Sequence, residues 1–224
     1  MQTRISELLA GFFPFWKKLP IQDQEILEGA SAIRKYKKGE NVHGGGLHCT
    51  GVVGIINGRL RVYLLSPEGK EVTLFRLLEH DVCMLSASCL IKNIAFDVYV
   101  DAEVDTEIIL ISPAAYEDVG KRNNFLPAYV QDIITMRFSE AMWVMEQILF
   151  MNMDRRLAIF LLEQANIEES DTVSLTHQEI ADHMSTAREV VSRMLKYFAN
   201  EGIVRVSRKG IDITDRKKLT EKAE

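Results

Sequence analysis

Four side chains within six residues carry the chemistry that most constrains this chain. They are Arg188, Glu189, Ser192 and Arg193, in the segment LTHQEIADHMSTAREVVSRMLKYFANEG that spans residues 175–202. Their spacing of i, i+1, i+4 and i+5 places them along one face of a helix. A guanidinium forks onto a guanine edge, a carboxylate accepts from cytosine N4, and a hydroxyl meets either a donor or an acceptor. Such a face presents readable groups to adjacent base pairs in a DNA major groove. Lys196 extends it by one turn. Thr176 and Thr186 offer hydroxyls to flanking phosphates, and Arg208 and Lys209 add charge close by.

Positioning these groups requires two short helices and a tight turn. Thr176 followed three residues later by Glu179 is a capping box, which opens a first helix over HQEIADHM. Ser185-Thr186 forms the turn, where Gly is often found. A second helix then runs from about Ala187 to Asn200, with Thr186 as its expected cap. Ile180, Ala181, Met184, Val190, Val191, Leu195 and Phe198 make up the buried side, and the small residue at 181 lets the helices approach. IVRVSRKGIDIT follows as a strand–turn–strand wing with Arg208-Lys209-Gly210 at its tip. An amphipathic helix pair with a merely solvated charged face is the bland alternative. The agreement of capping box, helix pair, polar face and basic hairpin argues against it.

The net charge of −5 looks unfavourable for a partner made of phosphates. The average conceals an asymmetry. Between Arg188 and Lys218 there are nine Lys or Arg against four Asp or Glu, so this stretch is +5 and the remainder −10. A locally basic surface is what phosphate binding requires.

The other 170 or so residues (about three quarters of the chain) divide by texture. Leu19-Pro20 begins a short helix over IQDQEILEGA. Residues 31–112 are short β-type runs: VVGIINGRLRVYLL, with Asn57-Gly58 as a hairpin signal, then a turn at Ser66-Pro67-Glu68-Gly69, then KEVTLFRLL, then two strands in FDVYVDAEVDTEIILI. Together they predict an antiparallel barrel or jelly roll. A long helix follows over about 125–151, in which Ile134, Phe138, Ala141, Met145 and Ile148 recur at 4, 3, 4, 3 spacing, a coiled-coil seam. Val130, Ile133, Val144 and Leu149 lie beside it. Two apolar surfaces on one helix predict two neighbours, the barrel and a second copy of the chain in a parallel homodimer. A hinge is expected at Asn152-Met153-Asp154. The fold class is thus α+β: a β-barrel domain (residues 1–123), a dimerisation helix (124–151) and a winged helix–turn–helix (152–224).

No apolar run reaches the roughly 20 residues of a membrane span, and MQTRISELLAGFFPFW lacks a signal-peptide cleavage pattern. A cytoplasmic protein is expected. Three cysteines, Cys49, Cys83 and Cys89, do not make a disulfide framework, and reduced, partly buried thiols are expected. Neither a Ser–His–Asp spacing nor a phosphate loop is present, and Gly44-Gly45-Gly46 lacks a following Lys-Ser/Thr, which argues against an enzyme.

At this point a resemblance can be stated. L-T-H-Q-E-I-A followed by R-E-V-V-S-R-M-L-K, behind a β-barrel and a long helix, is similar to the CRP/FNR family of bacterial transcription regulators. The resemblance extends over nearly the whole chain. It implies a cyclic-nucleotide-binding-like barrel, a homodimer, RNA polymerase as a partner, and Arg188, Glu189 and Arg193 as base readers. Glu189, Ser192 and Arg193 also fit the E-x-x-S-R pattern of the FNR branch. The expected target is a palindrome of TGTGA-like or TTGAT-like half-sites, about one helical turn apart.

The sensor departs from the family's best-known patterns. Cyclic-nucleotide members place a Glu on the ribose and an Arg on the cyclic phosphate, in G-E-x-x and R-S/T-x-x-V-x-A. The corresponding stretches are HDVCMLSASCL and FDVYVDA. The Glu is missing, and Phe96-Asp97 stands where Arg-Ser/Thr belongs, so a carboxylate would repel the phosphate. The four cysteines of an iron–sulfur sensor are also missing. What remains is an apolar candidate pocket of Met84, Leu85, Phe96, Tyr99, Met142 and Trp143, with Ser86, Ser88, Cys89 and Asp97 as polar groups. It suits a small hydrophobic or aromatic effector. A filled core without effector is one alternative. A haem- or thiol-based sensor using His43, His48, Cys49, His80, Cys83 or Cys89 is another. No cofactor or metal is expected otherwise. A ligand-binding module without DNA function is the remaining rival, and the basic winged helix counts against it.

Overall fold

A computed structural model describes residues 2–44, 49–90, 96–207 and 209–224, with the backbone alone for residues 2 and 88–90. The fold is α+β and divides into two compact units, Met1–Leu64 with Leu74–Ala141, and Leu65–Thr73 with Met142–Glu224.

Among the described residues, helices α1 (Gln2–Phe12) and α2 (Ile21–Gly29) come first, followed by eight strands. These are β1 (Ser31–Tyr36), β2 (Asn41–Gly44), β3 (Val52–Asn57), β4 (Leu60–Leu65), β5 (Glu71–Leu77), β6 (Val82–Cys83), β7 (Tyr99–Ala102) and β8 (Thr106–Ile111). They form two four-stranded sheets, ordered β1-β8-β3-β6 and β2-β7-β4-β5, with antiparallel pairing of β1 with β8, β2 with β7, β3 with β6 and β8, and β4 with β7. Alternation along the strands explains the two-sheet arrangement. Val53, Ile55 and Ile108 of one sheet meet Leu60, Val62, Val100 and Ala102 of the other in a single core. The intervening residues Val52, Ile109 and Ile111 point the opposite way, into a second core with Leu9, Phe12, Phe13, Trp16 and Leu27. β3 and β8 are therefore buried on both faces, which is why they read as nearly continuous apolar runs.

The Asn57-Gly58 turn does not close a hairpin. β3 and β4 belong to different sheets, so the turn carries the chain from one sheet to the other. Gly58 adopts φ +98°, and a Cβ there would lie 2.6 Å from Thr106 Oγ1 and 2.7 Å from the Asp105 carbonyl. The turn chemistry was legible, but its partner was chosen by long-range packing. The turn at 66–69 does link β4 to its sheet neighbour β5.

Helix α3 (Pro113–Arg122) leads into α4 (Phe125–Phe150), a continuous 26-residue helix. The start of α4 is anchored in the first unit, where Leu126 is buried and Tyr129, Val130 and Ile133 pack against the helical core. Farther along, the seam residues face outward. Phe138 is 64% exposed, Met145 46% and Ile148 40%, while Ile134 and Ala141 are half-buried. Leu149 (61% exposed) does not join the packed side with Val130 and Ile133 as its position beside the seam had implied.

In the second unit, α5 (Met153–Ile167) follows after Met151-Asn152. Met153 and Asp154 lie in its first turn, so only Asn152 of the expected hinge is non-helical. β9 (Thr172–Val173), α6 (His177–Met184), α7 (Arg188–Asn200), β10 (Val204–Ser207), β11 (Gly210–Ile213) and α8 (Arg216–Ala223) complete the unit. The three short strands form an antiparallel sheet in the order β10-β11-β9. Leu157, Leu161, Ile180, Ala181, Val191, Leu195, Phe198 and Ile211 share its core. No helix of the described residues is long and apolar enough to cross a membrane.

Candidate nucleic-acid interface

The capping box at the start of α6 is fully formed. Glu179 N donates to Thr176 Oγ1 at 3.2 Å, and Thr176 N donates to Glu179 Oε2 at 2.7 Å. Thr176 still has its own proton to give, so its exposed hydroxyl keeps a donor for a phosphate. At the end of α6, Ser185 takes the left-handed conformation, φ 51° and ψ 51°, the geometry for which Gly is usually used. Arg156 of α5 donates from Nη2 to the Met184 carbonyl, satisfying an acceptor at the end of the helix. Ala181 is fully buried, as close helix approach requires.

Thr186 does not cap α7. Ala187 is the N-cap and contributes no side-chain bond, while the Thr186 backbone N–H donates to the Ala181 carbonyl at 3.0 Å. One extended residue between turn and helix displaces the threonine from the capping position. The first N–H groups of α7 therefore remain without a side-chain cap, beside Arg188 and Glu189.

Arg188, Glu189, Arg193 and Lys196 are exposed on α7, opposite Val191, Leu195 and Phe198. Ser192 is half-buried between them, its Oγ 2.8 Å from His177 Nδ1. The fold also sorts the basic residues. Arg205 pairs with Asp212, Arg216 with Asp171 and Lys218 with Asp215. Among the described residues Arg188, Arg193, Lys196 and Lys209 form no close ion pair, and Lys209 lies near enough to Asp212 to feel its charge, so the face keeps a positive excess. Arg208 lies outside the described residues.

A groove of about 580 Å³ lies between the wing and the two helices, lined by Thr176, His177, Gln178, Arg188, Lys209 and Gly210, among others. A second, of about 590 Å³, has His177, Ser192, Lys196, Arg205 and Thr214 in its lining. Gly210 fixes the wing. Its φ is +138°, and a Cβ would fall 2.2 Å from the Val173 carbonyl oxygen. Gly210→Ala should destabilise this unit by about 2–4 kcal/mol, from strain and a backbone clash together. A melting temperature within a degree or two of wild type would contradict this. Lys209→Ala should weaken all DNA sequences alike and lower the slope of log affinity against log salt by about one per subunit. Sequence-selective weakening would place Lys209 at a base instead.

The residues predicted to line an effector pocket are spread over different environments. Met84 is buried in the core that holds Leu9, Phe12 and Leu27, and Leu85 packs against the core between the two sheets. Ser86 is fully buried and donates to the Gly51 carbonyl at 2.8 Å. Phe96 is 53% exposed and Asp97 is also exposed. Tyr99 stacks on Tyr63, with ring centroids 5.6 Å apart. Met142 and Trp143, 41% and 40% exposed, belong to the second unit. The side chains of Ser88 and Cys89 lie outside the description. Cys49 is disulfide-bonded, which corrects the expectation of three reduced thiols, while Cys83 is a buried free thiol whose pKa burial pushes up. His43 is buried, 2.8 Å from Thr50 Oγ1, and desolvation lowers its pKa against the opposing pull of Asp97. His48 lies outside the described residues. Among those described, no three His, Cys, Asp or Glu side chains converge as a metal site would need.

Sequence reasoning passed over His177 and Arg156. His177 is separated from Ser192 by fifteen positions, and Arg156 from Met184 by twenty-eight, so neither contact has a local periodic signal.

Residues 155–222 match the Crp-like helix-turn-helix domain. No curated protein matches the chain. A protein of known structure from Eubacterium rectale, described as a transcriptional regulator of the CRP/FNR family, is 39% identical, with a TM-score of 0.91 over 95% of this chain and 98% of that one. FixK2 from Bradyrhizobium japonicum is 19% identical, with a TM-score of 0.69 over 87% of this chain and 98% of its own. A CRP/FNR-family transcriptional regulator from Thermus thermophilus, TTHA1359, is 20% identical, with a TM-score of 0.67 over 86% of this chain and 98% of its own. These last two are similar in fold.

Proposed function

Because this chain belongs to the CRP/FNR family of transcription regulators, we propose that it acts as a homodimer reading a palindromic DNA site under the control of a small effector. The observation that carries this reading is the uncommitted polar face of α7, on which Arg188, Glu189 and Arg193 stand exposed next to a basic wing. Arg193 and Arg188 address guanine, and Glu189 addresses cytosine. Thr176, Thr186, Lys196, Arg208 and Lys209 hold the flanking phosphates.

The dimer is formed along α4 by Ile134, Phe138, Ala141, Met145 and Ile148. Burying a large apolar side chain is worth about 1.5–3 kcal/mol, and three of these are 40% or more exposed in the single chain. A second copy of the same stripe is the partner that heptad spacing fits. The two-fold axis then places two copies of α7 about one helical turn of DNA apart.

The effector is a small hydrophobic or aromatic molecule rather than a cyclic nucleotide, since Phe96-Asp97 replaces the phosphate-binding pair. It acts by favouring one dimer arrangement, which shifts the population toward the DNA-competent state. RNA polymerase is the partner through which bound DNA becomes regulated transcription. The disulfide at Cys49 favours a second reading, thiol-based redox control through the same DNA-binding unit.

One titration tests both readings. Anisotropy of a labelled palindromic duplex is measured with the purified protein against a panel of aromatics, cyclic nucleotides and haem, with and without reductant. An aromatic that raises affinity at least tenfold supports the first reading, and a response to reductant alone supports the second. Failure to retain any specific duplex under all conditions contradicts DNA reading altogether.

A further inference from the structure

Ser192 occupies the middle of the reading face, one helical turn after Arg188 and one before Lys196. Its Oγ lies 2.8 Å from Nδ1 of His177, the first residue of α6. His177 is in the lining of both grooves, together with Lys209 in one and with Ser192 and Lys196 in the other.

A serine hydroxyl has one proton and two acceptor sites. If it donates to Nδ1, only acceptor sites are left for DNA, and these suit cytosine N4 or adenine N6. If the ring donates to it, its own proton is left for DNA and suits guanine N7 or O6, or thymine O4. A hydroxyl without such a contact rotates to suit any base and discriminates little. We propose that His177 is a positioning residue for DNA reading, which fixes the direction of the Ser192 hydroxyl and thereby the base that Ser192 selects. The proposal rests on the assignment of α7 as the recognition helix. It adds a specificity determinant from the neighbouring helix.

The test is selection from a randomised duplex pool by the full-length protein, followed by affinities for every base at each position of the selected half-site. Wild type should discriminate one base pair about 5-fold through a single hydrogen bond, and Ser192→Ala should level that position. His177→Phe keeps a flat ring without a polar atom and should level the same position and no other. His177→Ala serves the same purpose should the phenyl ring disturb the start of α6. His177→Asn, which places an amide near Nδ1, should restore the preference. Combining His177→Phe with Ser192→Ala should add nothing at that base, as expected for two residues acting through one contact. Retention of the preference in both His177→Phe and His177→Ala overturns the proposal. So does a uniform loss across all sequences with the base preferences intact, which is the mark of a structural role. If wild type selects no sequence, the recognition-helix assignment fails and the proposal fails with it.

Discussion

Replacing Phe138 with glutamate should leave a folded monomer that has lost more than 100-fold of its affinity for a palindromic site. Phe138 lies near the middle of α4 and is 64% exposed, so the single chain does not depend on it for its core. Glutamate is a good helix former, and α4 itself should persist. In a two-fold dimer every substitution occurs twice. Two unpaired carboxylates in an apolar seam cost several kcal/mol through desolvation and mutual repulsion, besides the lost burial of two phenyl rings. That exceeds what the remaining seam residues can offset at micromolar protein. Sedimentation equilibrium should show the dimer converted to monomer, while circular dichroism and thermal melting stay close to wild type. An intact dimer would move the interface away from Phe138 and its neighbours.

Arg193→Ala should produce the second large effect, of a different kind. A good Arg–guanine contact is worth about 1–3 kcal/mol of discrimination, and both half-sites lose it, so a palindrome should bind about 2–6 kcal/mol more weakly. The loss should fall on the specific sequence, with one base position per half-site relaxed and non-specific binding nearly unchanged. Arg193 is exposed and makes no hydrogen bond or ion pair with the described residues, so its removal should not destabilise the winged helix. Unchanged affinity and specificity across a base-substitution series would remove Arg193 from the set of readers. The contrast with Lys209→Ala, uniform in sequence but dependent on salt, separates base reading from phosphate positioning.

The parts of the structure legible in the sequence were those with local physical signatures. Thr176 and Glu179 stand three residues apart and form both bonds of the capping box. The apolar positions of α6 and α7 recur at helical spacing, and Val191, Leu195 and Phe198 are fully buried. Readings that depended on distant partners fared differently. Asn57-Gly58 has the composition of a hairpin turn, yet β3 pairs with β8 and β6 because its two faces are claimed by two cores. Thr186 has a good capping side chain, but one extended residue separates it from α7. The pocket residues were grouped by analogy of position along the chain. Their environments, from fully buried Ser86 to exposed Phe96, are set by which core each strand end meets.

The central claim is that two recognition helices, related by a dimer axis, read two half-sites on one side of the DNA. Insertion of about five base pairs at the centre of the selected palindrome turns one half-site to the opposite side of the duplex. Affinity for the altered duplex, measured by anisotropy against the original, tests the claim most directly. A fall to the level of a single half-site is the predicted result, without recovery when about ten base pairs are inserted, since the half-sites then face the same side but lie about two helical turns apart. Equal affinity at every spacing would contradict it.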